Sequence, residues 1–170
     1  ADDNEYTREI GKLFLVAACS RIDRPGCKFD YMLILEGAQG IGKSQLVMAL
    51  GGGWAGEVSL HKIDKDTIDK MRGKWIIEVP EMVNLRKQDV DSMKAFLSNS
   101  VDRVRLAYAR RSSDFPRKSV FIATINPDGC TYLNDATGGR RFWPVRIETV
   151  DLGGLRRDRD QLWAEAWHIY

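Results

Sequence analysis

The 170-residue sequence predicts a single α/β domain with a mainly parallel central sheet flanked by helices, and three observations lead there. Continuous apolar runs at 31–35, 74–79 and 119–125 have the length and composition of strands buried on both faces, as parallel strands are. Stretches with helical apolar spacing separate these runs, the alternation that builds a parallel sheet. The 15 glycines cluster, with Gly37, Gly40 and Gly42 in one loop, Gly51, Gly52 and Gly53 in a second, and Gly138 and Gly139 in a third. Such clustering marks specialised backbone and not low complexity.

Residues 5–21 carry Ile10, Leu13, Phe14, Ala17 and Ala18 at helical spacing until Arg24, Pro25 and Gly26 stop the pattern. The strand at 31–35 leads through Glu36 into the first glycine loop, and a helical pattern resumes at Lys43 and ends at the three glycines after Leu50. A short strand is expected at 57–60, then a helix at 64–72 with Asp64 or Asp66 as its N-cap. The strand at 74–79 is closed by Pro80, and the helix at 87–98 buries Val90, Met93, Phe96 and Leu97. After the strand at 119–125, a further strand is expected at 141–147 and a last helix at 159–170, with Leu162, Trp163 and Ala166 on one face. The chain thus divides into a leading helix and loop (1–30), a core (31–150) and a C-terminal helix (151–170), and it reads as a piece of a longer protein.

A hydrophobic content of 44% is enough to bury a core, and a net charge of +2 says little about partners, so any nucleic-acid reading rests on local charge. Residues 103–118 supply it, with six basic side chains against one acid, Asp114. The three cysteines, Cys19, Cys27 and Cys130, are odd in number and have no histidines at zinc-ligand spacing, so neither a disulfide framework nor a structural zinc is expected. No apolar run reaches the roughly 20 residues of a membrane span, and the charged first residues are no signal peptide. The expectation is a cytoplasmic protein.

Gly37-Ala38-Gln39-Gly40-Ile41-Gly42-Lys43-Ser44 matches Gly-x-x-x-x-Gly-Lys-Ser at every fixed position, after a buried strand and at the start of a helix. Glycines let backbone N–H groups converge on phosphate oxygens, and the helix adds the positive end of its dipole. Lys43 is set to reach β- and γ-phosphates, and the Ser44 hydroxyl to ligate magnesium. Residues 37–44 together with Gln45 are therefore the expected ATP-binding set of a P-loop NTPase.

A magnesium nucleotide also needs a carboxylate from a neighbouring strand. Glu78, inside an apolar run, and Glu81, just past Pro80, are the candidates, with Glu78 the expected metal partner. Asn126 follows the strand at 119–125, at the carboxyl end where ligands gather in open α/β sheets, and its amide suits orienting an attacking water. Arg140 and Arg141 follow two glycines, and a forked, permanently charged guanidinium there suits completing a neighbouring subunit's site.

In the basic stretch, Arg103, Arg105 and Ala107 alternate with Val104, Leu106 and Tyr108, which predicts a strand with a charged face, and Ser112, Ser113 and Asp114 are suited to turn it into a β-hairpin. Arg103, Arg105, Tyr108, Arg110, Arg111, Arg117 and Lys118 have the chemistry for phosphate pairing and base stacking, so a nucleic-acid backbone, in single-stranded form, is the expected partner, and a solvated edge strand guarded by charge is the alternative.

Arg24-Pro25-Gly26-Cys27-Lys28-Phe29-Asp30, the loop 35–44, Trp75-Ile76-Ile77-Glu78-Val79-Pro80-Glu81-Met82, Asp102-Arg103 and Thr137-Gly138-Gly139-Arg140-Arg141-Phe142-Trp143-Pro144-Val145 together resemble the virulence-associated E family. The resemblance covers nearly the whole chain. It implies the ATPase part of phage and mobile-element primase-helicases, related to superfamily 3 helicases within the AAA+ group, working as a hexameric ring around DNA. It further implies Walker A roles for Lys43 and Ser44, a Walker B region at Glu78 and Glu81, a sensor at Asn126, a trans-acting finger at Arg140 or Arg141 and a DNA-contacting basic hairpin. Two glutamates separated by Val79 and Pro80 stand where an adjacent Asp-Glu pair is usual. The function expected is ATP-driven DNA unwinding or translocation. The rivals are a nucleotide-dependent DNA-binding switch or loader, and a small-molecule kinase that shares the phosphate loop.

Overall fold

The computed structural model describes residues 3–82, 87–105, 110–126 and 139–170. Helix α1 (Glu5–Asp23) opens with a capping box in which the Asn4 side chain accepts from the Thr7 amide, and it buries Ile10, Phe14 and Ala18. Strand β1 (Met32–Glu36) runs into the glycine loop, and α2 (Lys43–Gly51) follows. Then come β2 (Ala55–Glu57), α3 (Lys65–Met71), β3 (Ile76–Pro80), α4 (Lys87–Ser98), β4 (Val101–Val104), β5 (Ser113–Pro116), β6 (Val120–Ile125), β7 (Phe142–Arg146) and α5 (Leu152–Ile169).

Five strands form one parallel sheet in the order β2-β3-β6-β1-β7, while β4 and β5 pair separately and antiparallel. The α/β class and the parallel sheet expected from the apolar runs are therefore present. Period-two alternation divides the core between the two faces of the sheet. Ile77, Val79, Phe121 and Ala123 pack with Val90, Met93, Phe96 and Leu97 of α4. Ile76, Val120 and Ile122 pack on the other side with Phe14 of α1, Val47 and Leu50 of α2, and Trp163 and Ala166 of α5. Glu78 and Thr124 share the parity of that second set, so their side chains stand on the face that carries α2.

Four expectations need correction. The short strand lies at Ala55–Glu57 and not at 57–60: it starts directly after the turn at Gly52–Trp54, and Gly56 lets it run against the Lys74 stem, whose Cγ would lie 2.9 Å from an added Cβ. The last helix starts at Leu152, seven residues before its expected start, because Asp151 caps it by accepting from the Gly154 amide. Ser113 and Asp114 do not turn the antiparallel pair; they lie within β5, where Ser113 faces Val104 and Asp114 faces Arg103.

The fourth correction is Arg117, expected on a DNA-contacting surface but only 2% exposed. Its Nε and Nη2 donate to the two oxygens of Asp102, its Nη1 donates to the Phe96 carbonyl at 2.6 Å, and its guanidinium lies over the Phe96 ring. It joins β4 to α4. Removing one partner of a buried ion pair strands the other, so Arg117→Ala is expected to cost about 3–5 kcal/mol of stability, read as a fall in urea midpoint with little change in slope. Among the described residues no helix is long and apolar enough to cross a membrane.

Candidate functional site

The carboxyl ends of β1, β3 and β6 converge on one edge of the sheet because β6 lies between the other two. Gly37 leaves β1 there, its amide donating to the Ile125 carbonyl at 3.2 Å. A Cβ at Gly37 would lie 2.4 Å from the Ile147 carbonyl oxygen, so no larger residue fits this departure. Gly40 and Gly42 have φ of +82° and +96°, left-handed backbone that favours glycine, and Gly42 is the N-cap from which α2 begins. The loop therefore ends at a helix N-terminus of nine residues with the amides and dipole that attract an anion. Ala38, Gln39 and Gly40 are exposed, and Ile41 packs partly against the core.

Lys43 is buried, and its ammonium donates to the Gly37 and Ala38 carbonyls, both at 2.7 Å, and to Asn126 Oδ1 at 2.8 Å. Asn126, one residue past β6, thus meets the loop lysine directly, and because Oδ1 accepts that bond its NH2 group is the donor for a ligand oxygen or a water. One residue along, the Ser44 hydroxyl donates to Glu78 Oε1 at 2.6 Å. Glu78 is 1% exposed, and a second hydroxyl, Thr124 Oγ1, donates to the same Oε1 at 2.7 Å. Glu78 Oε2 is buried and has no hydrogen-bond partner.

A buried carboxylate oxygen without a donor is costly unless positive charge faces it. Together with the Ser44 hydroxyl it offers hard oxygen ligands. Among the described residues no three His, Cys, Asp or Glu side chains gather into a metal cage. That donor set suits magnesium, which binds through one or two protein oxygens and otherwise through water and phosphate. Glu81 is exposed at the same edge, its amide donating to the Thr124 carbonyl at 3.1 Å. Its φ of +54° makes it the one non-glycine residue with left-handed backbone among those described, a conformation that costs energy and collects at functional sites. At the end of β1, burial pushes the Glu36 carboxyl above its ordinary pKa, with Arg146 pulling it back.

Two groups of site residues lie elsewhere. Arg140 and Arg141 form a turn just before β7, and Phe142, the next residue, pairs with Met32 at the start of β1, whereas Arg146 pairs with Glu36 beside the loop. The arginines therefore stand at the amino-terminal end of the sheet, roughly 17 Å down a five-residue strand from the loop that follows β1. Arg103, Arg110, Arg111 and Lys118 are exposed, with Arg103 3.6 Å from Asp114, and Arg105 is exposed after β4. Tyr108, Cys130 and Gly138 lie outside the described residues.

Sequence reasoning missed three side chains. Thr124 reads as one more residue of a buried strand, and only its parity with Glu78 on the adjacent strand signals the contact. Arg156 and Arg159 line a groove of about 460 Å³ with Ser44 and Gln45. Arg156 precedes the helix expected at 159–170, because Gly153 and Gly154 look like helix breakers, and Arg159 opens that helix with nothing in its local sequence to point it at the loop.

A model of the virulence-associated protein E-like domain matches residues 1–170. Two apo structures of the NrS-1 C-terminal region are similar in fold: one at TM-score 0.65 and 13% identity over 94% of this chain and 41% of that one, the other at 0.55 and 17% over 93% and 38%. The chain thus spans about two fifths of the length of these neighbours. No curated protein matches it. With its whole length matched by the family model, the chain belongs to the virulence-associated protein E-like domain family.

Proposed function

We propose that this chain is a magnesium-dependent ATPase that works on DNA as a helicase or translocase domain within a ring of like subunits. The observation that carries the reading is the chain of contacts from Asn126 to Lys43 in the glycine loop, beside the Ser44–Glu78–Thr124 set with its unpartnered carboxylate oxygen. In this reading residues 37–45 cradle ATP, with Lys43 exchanging its loop carbonyls for phosphate oxygens. Ser44 and Glu78 hold magnesium, whose chemistry is neutralisation of phosphate charge. Glu81 or Glu78 activates water and Asn126 orients it. Arg140 or Arg141 reaches a neighbour's nucleotide. Arg103, Arg105, Arg110, Arg111 and Lys118 contact DNA phosphates; Arg117 has no part in that.

The kinase reading loses support from the antiparallel pair. Its base, where Val101 faces Pro116, joins the chain just before β6 at the amino-terminal end of the sheet, the wrong end for a lid hinged over the loop. A switch or loader without unwinding would use the same nucleotide site. The test is magnesium-dependent hydrolysis with and without single-stranded DNA, alongside Lys43→Ala and a measurement of assembly. Turnover that DNA stimulates and that Lys43→Ala lowers at least about a hundredfold supports the motor. Nucleotide binding without turnover in an assembled ring supports the switch, and failure to bind magnesium nucleotide at all sinks both.

A further inference from the structure

At the end of the sheet away from the glycine loop, a cavity of about 800 Å³ opens between α3, β5 and the residues that lead into β2, β3 and β6. Its wall combines the aromatic rings of Trp54, Phe115 and Trp167 with the cations of Arg72, Lys74 and Lys118. The acid that lines it, Asp102, is already neutralised by Arg117. Trp54 is 65% exposed and Trp167 42%. The Trp54 ring stands on fixed backbone: it ends the turn Gly52–Trp54, and its carbonyl accepts from the Trp75 amide at 2.8 Å. The Arg72 guanidinium lies 4.9 Å from the centre of the Phe115 ring. Lys74 Nζ reaches the Gly53 carbonyl at 3.4 Å, and Lys118 is exposed.

We infer that this cavity binds single-stranded nucleic acid, with a base stacked on Trp54 and flanking phosphates on Lys74 and Lys118. A ligand that is both flat-aromatic and anionic uses both parts of the wall, and stacking on an aromatic face tolerates any base. An apolar protein segment would leave the cations unused. A second copy meeting this face about a two-fold axis would bring like charge against like. The cavity takes in one face of the antiparallel pair, where Phe115 is paired with Asp102. The inference rests on the reading of the chain as a DNA-acting domain, but it uses no residue of the nucleotide site.

The test is binding of a fluorescein-labelled oligothymidylate to the full chain by anisotropy, without ATP, across a salt series. Trp54→Ala is expected to weaken binding about tenfold or more with an unchanged salt slope, and Trp54→Phe to retain most of it. Lys118→Ala, on an exposed side chain, is expected to lower the slope by a little under one. An unchanged urea midpoint reports that each variant is folded. Absence of binding by the wild type overturns the inference. So does wild-type affinity in Trp54→Ala, and if that variant instead changes the sedimentation of the protein, the face is a contact between copies. Because the assay needs no turnover, an assembled ring that hydrolyses no ATP but still binds the oligonucleotide through Trp54 would remove the motor reading and leave this site standing.

Discussion

Replacing Arg140 and Arg141 together by alanine is expected to lower ATP hydrolysis roughly a thousandfold or more while leaving nucleotide affinity within severalfold, as loss of a transition-state guanidinium does. The geometry makes the prediction sharper than the residue types alone. Phe142 pairs with Met32 at one end of β1 and the loop leaves the other end, about 17 Å away, so neither arginine can meet a phosphate held by its own Lys43. On the proposed reading, any action of theirs on a nucleotide runs from one subunit to the next. Mixing the double variant, whose own nucleotide site is intact, with Lys43→Ala, whose arginines are intact, should therefore restore a fraction of wild-type hydrolysis that neither has alone. The readout is steady-state turnover over a range of mixing ratios, with assembly checked by sedimentation. Full activity in the double variant, or no recovery in a mixture that demonstrably co-assembles, removes these residues from the mechanism.

What the sequence revealed and what it hid follow from the range of the interactions. Strands β1, β3 and β6 were legible because burial on both faces forces continuous apolar composition, and the glycine loop because left-handed backbone at Gly40 and Gly42 restricts residue choice. Asn126 could be located at a strand end, but its bond to Lys43 joins residues 83 positions apart and depends on β6 lying between β1 and β3. Arg117 misled for the same reason. Its charge reads as surface until the fold brings Asp102 and the Phe96 carbonyl to it. Local caps misled in the opposite direction: one Asp151 side chain is enough to start α5 ahead of two glycines.

Glu78→Gln keeps the shape of the buried side chain and removes its charge, and hydrolysis is expected to fall about 10²–10³-fold with a higher magnesium requirement. A purely structural carboxylate would answer differently: its neutralisation would change the urea midpoint and leave the magnesium titration of the remaining activity where it was. Thr124 separates the two cases further. Thr124→Val deletes one of the two hydroxyls that fix Oε1 and leaves Ser44 as its remaining donor, a hydrogen bond to a charged acceptor of about 1.5–3 kcal/mol. If Thr124 sets the direction in which Oε2 faces a cation, the variant should lose roughly ten- to a hundredfold in turnover, recover at high magnesium, and be rescued by Thr124→Ser. Equal losses in Thr124→Val and Thr124→Ser, or a loss that magnesium does not relieve, would place Thr124 among ordinary packing residues and leave Glu78 oriented by Ser44 alone.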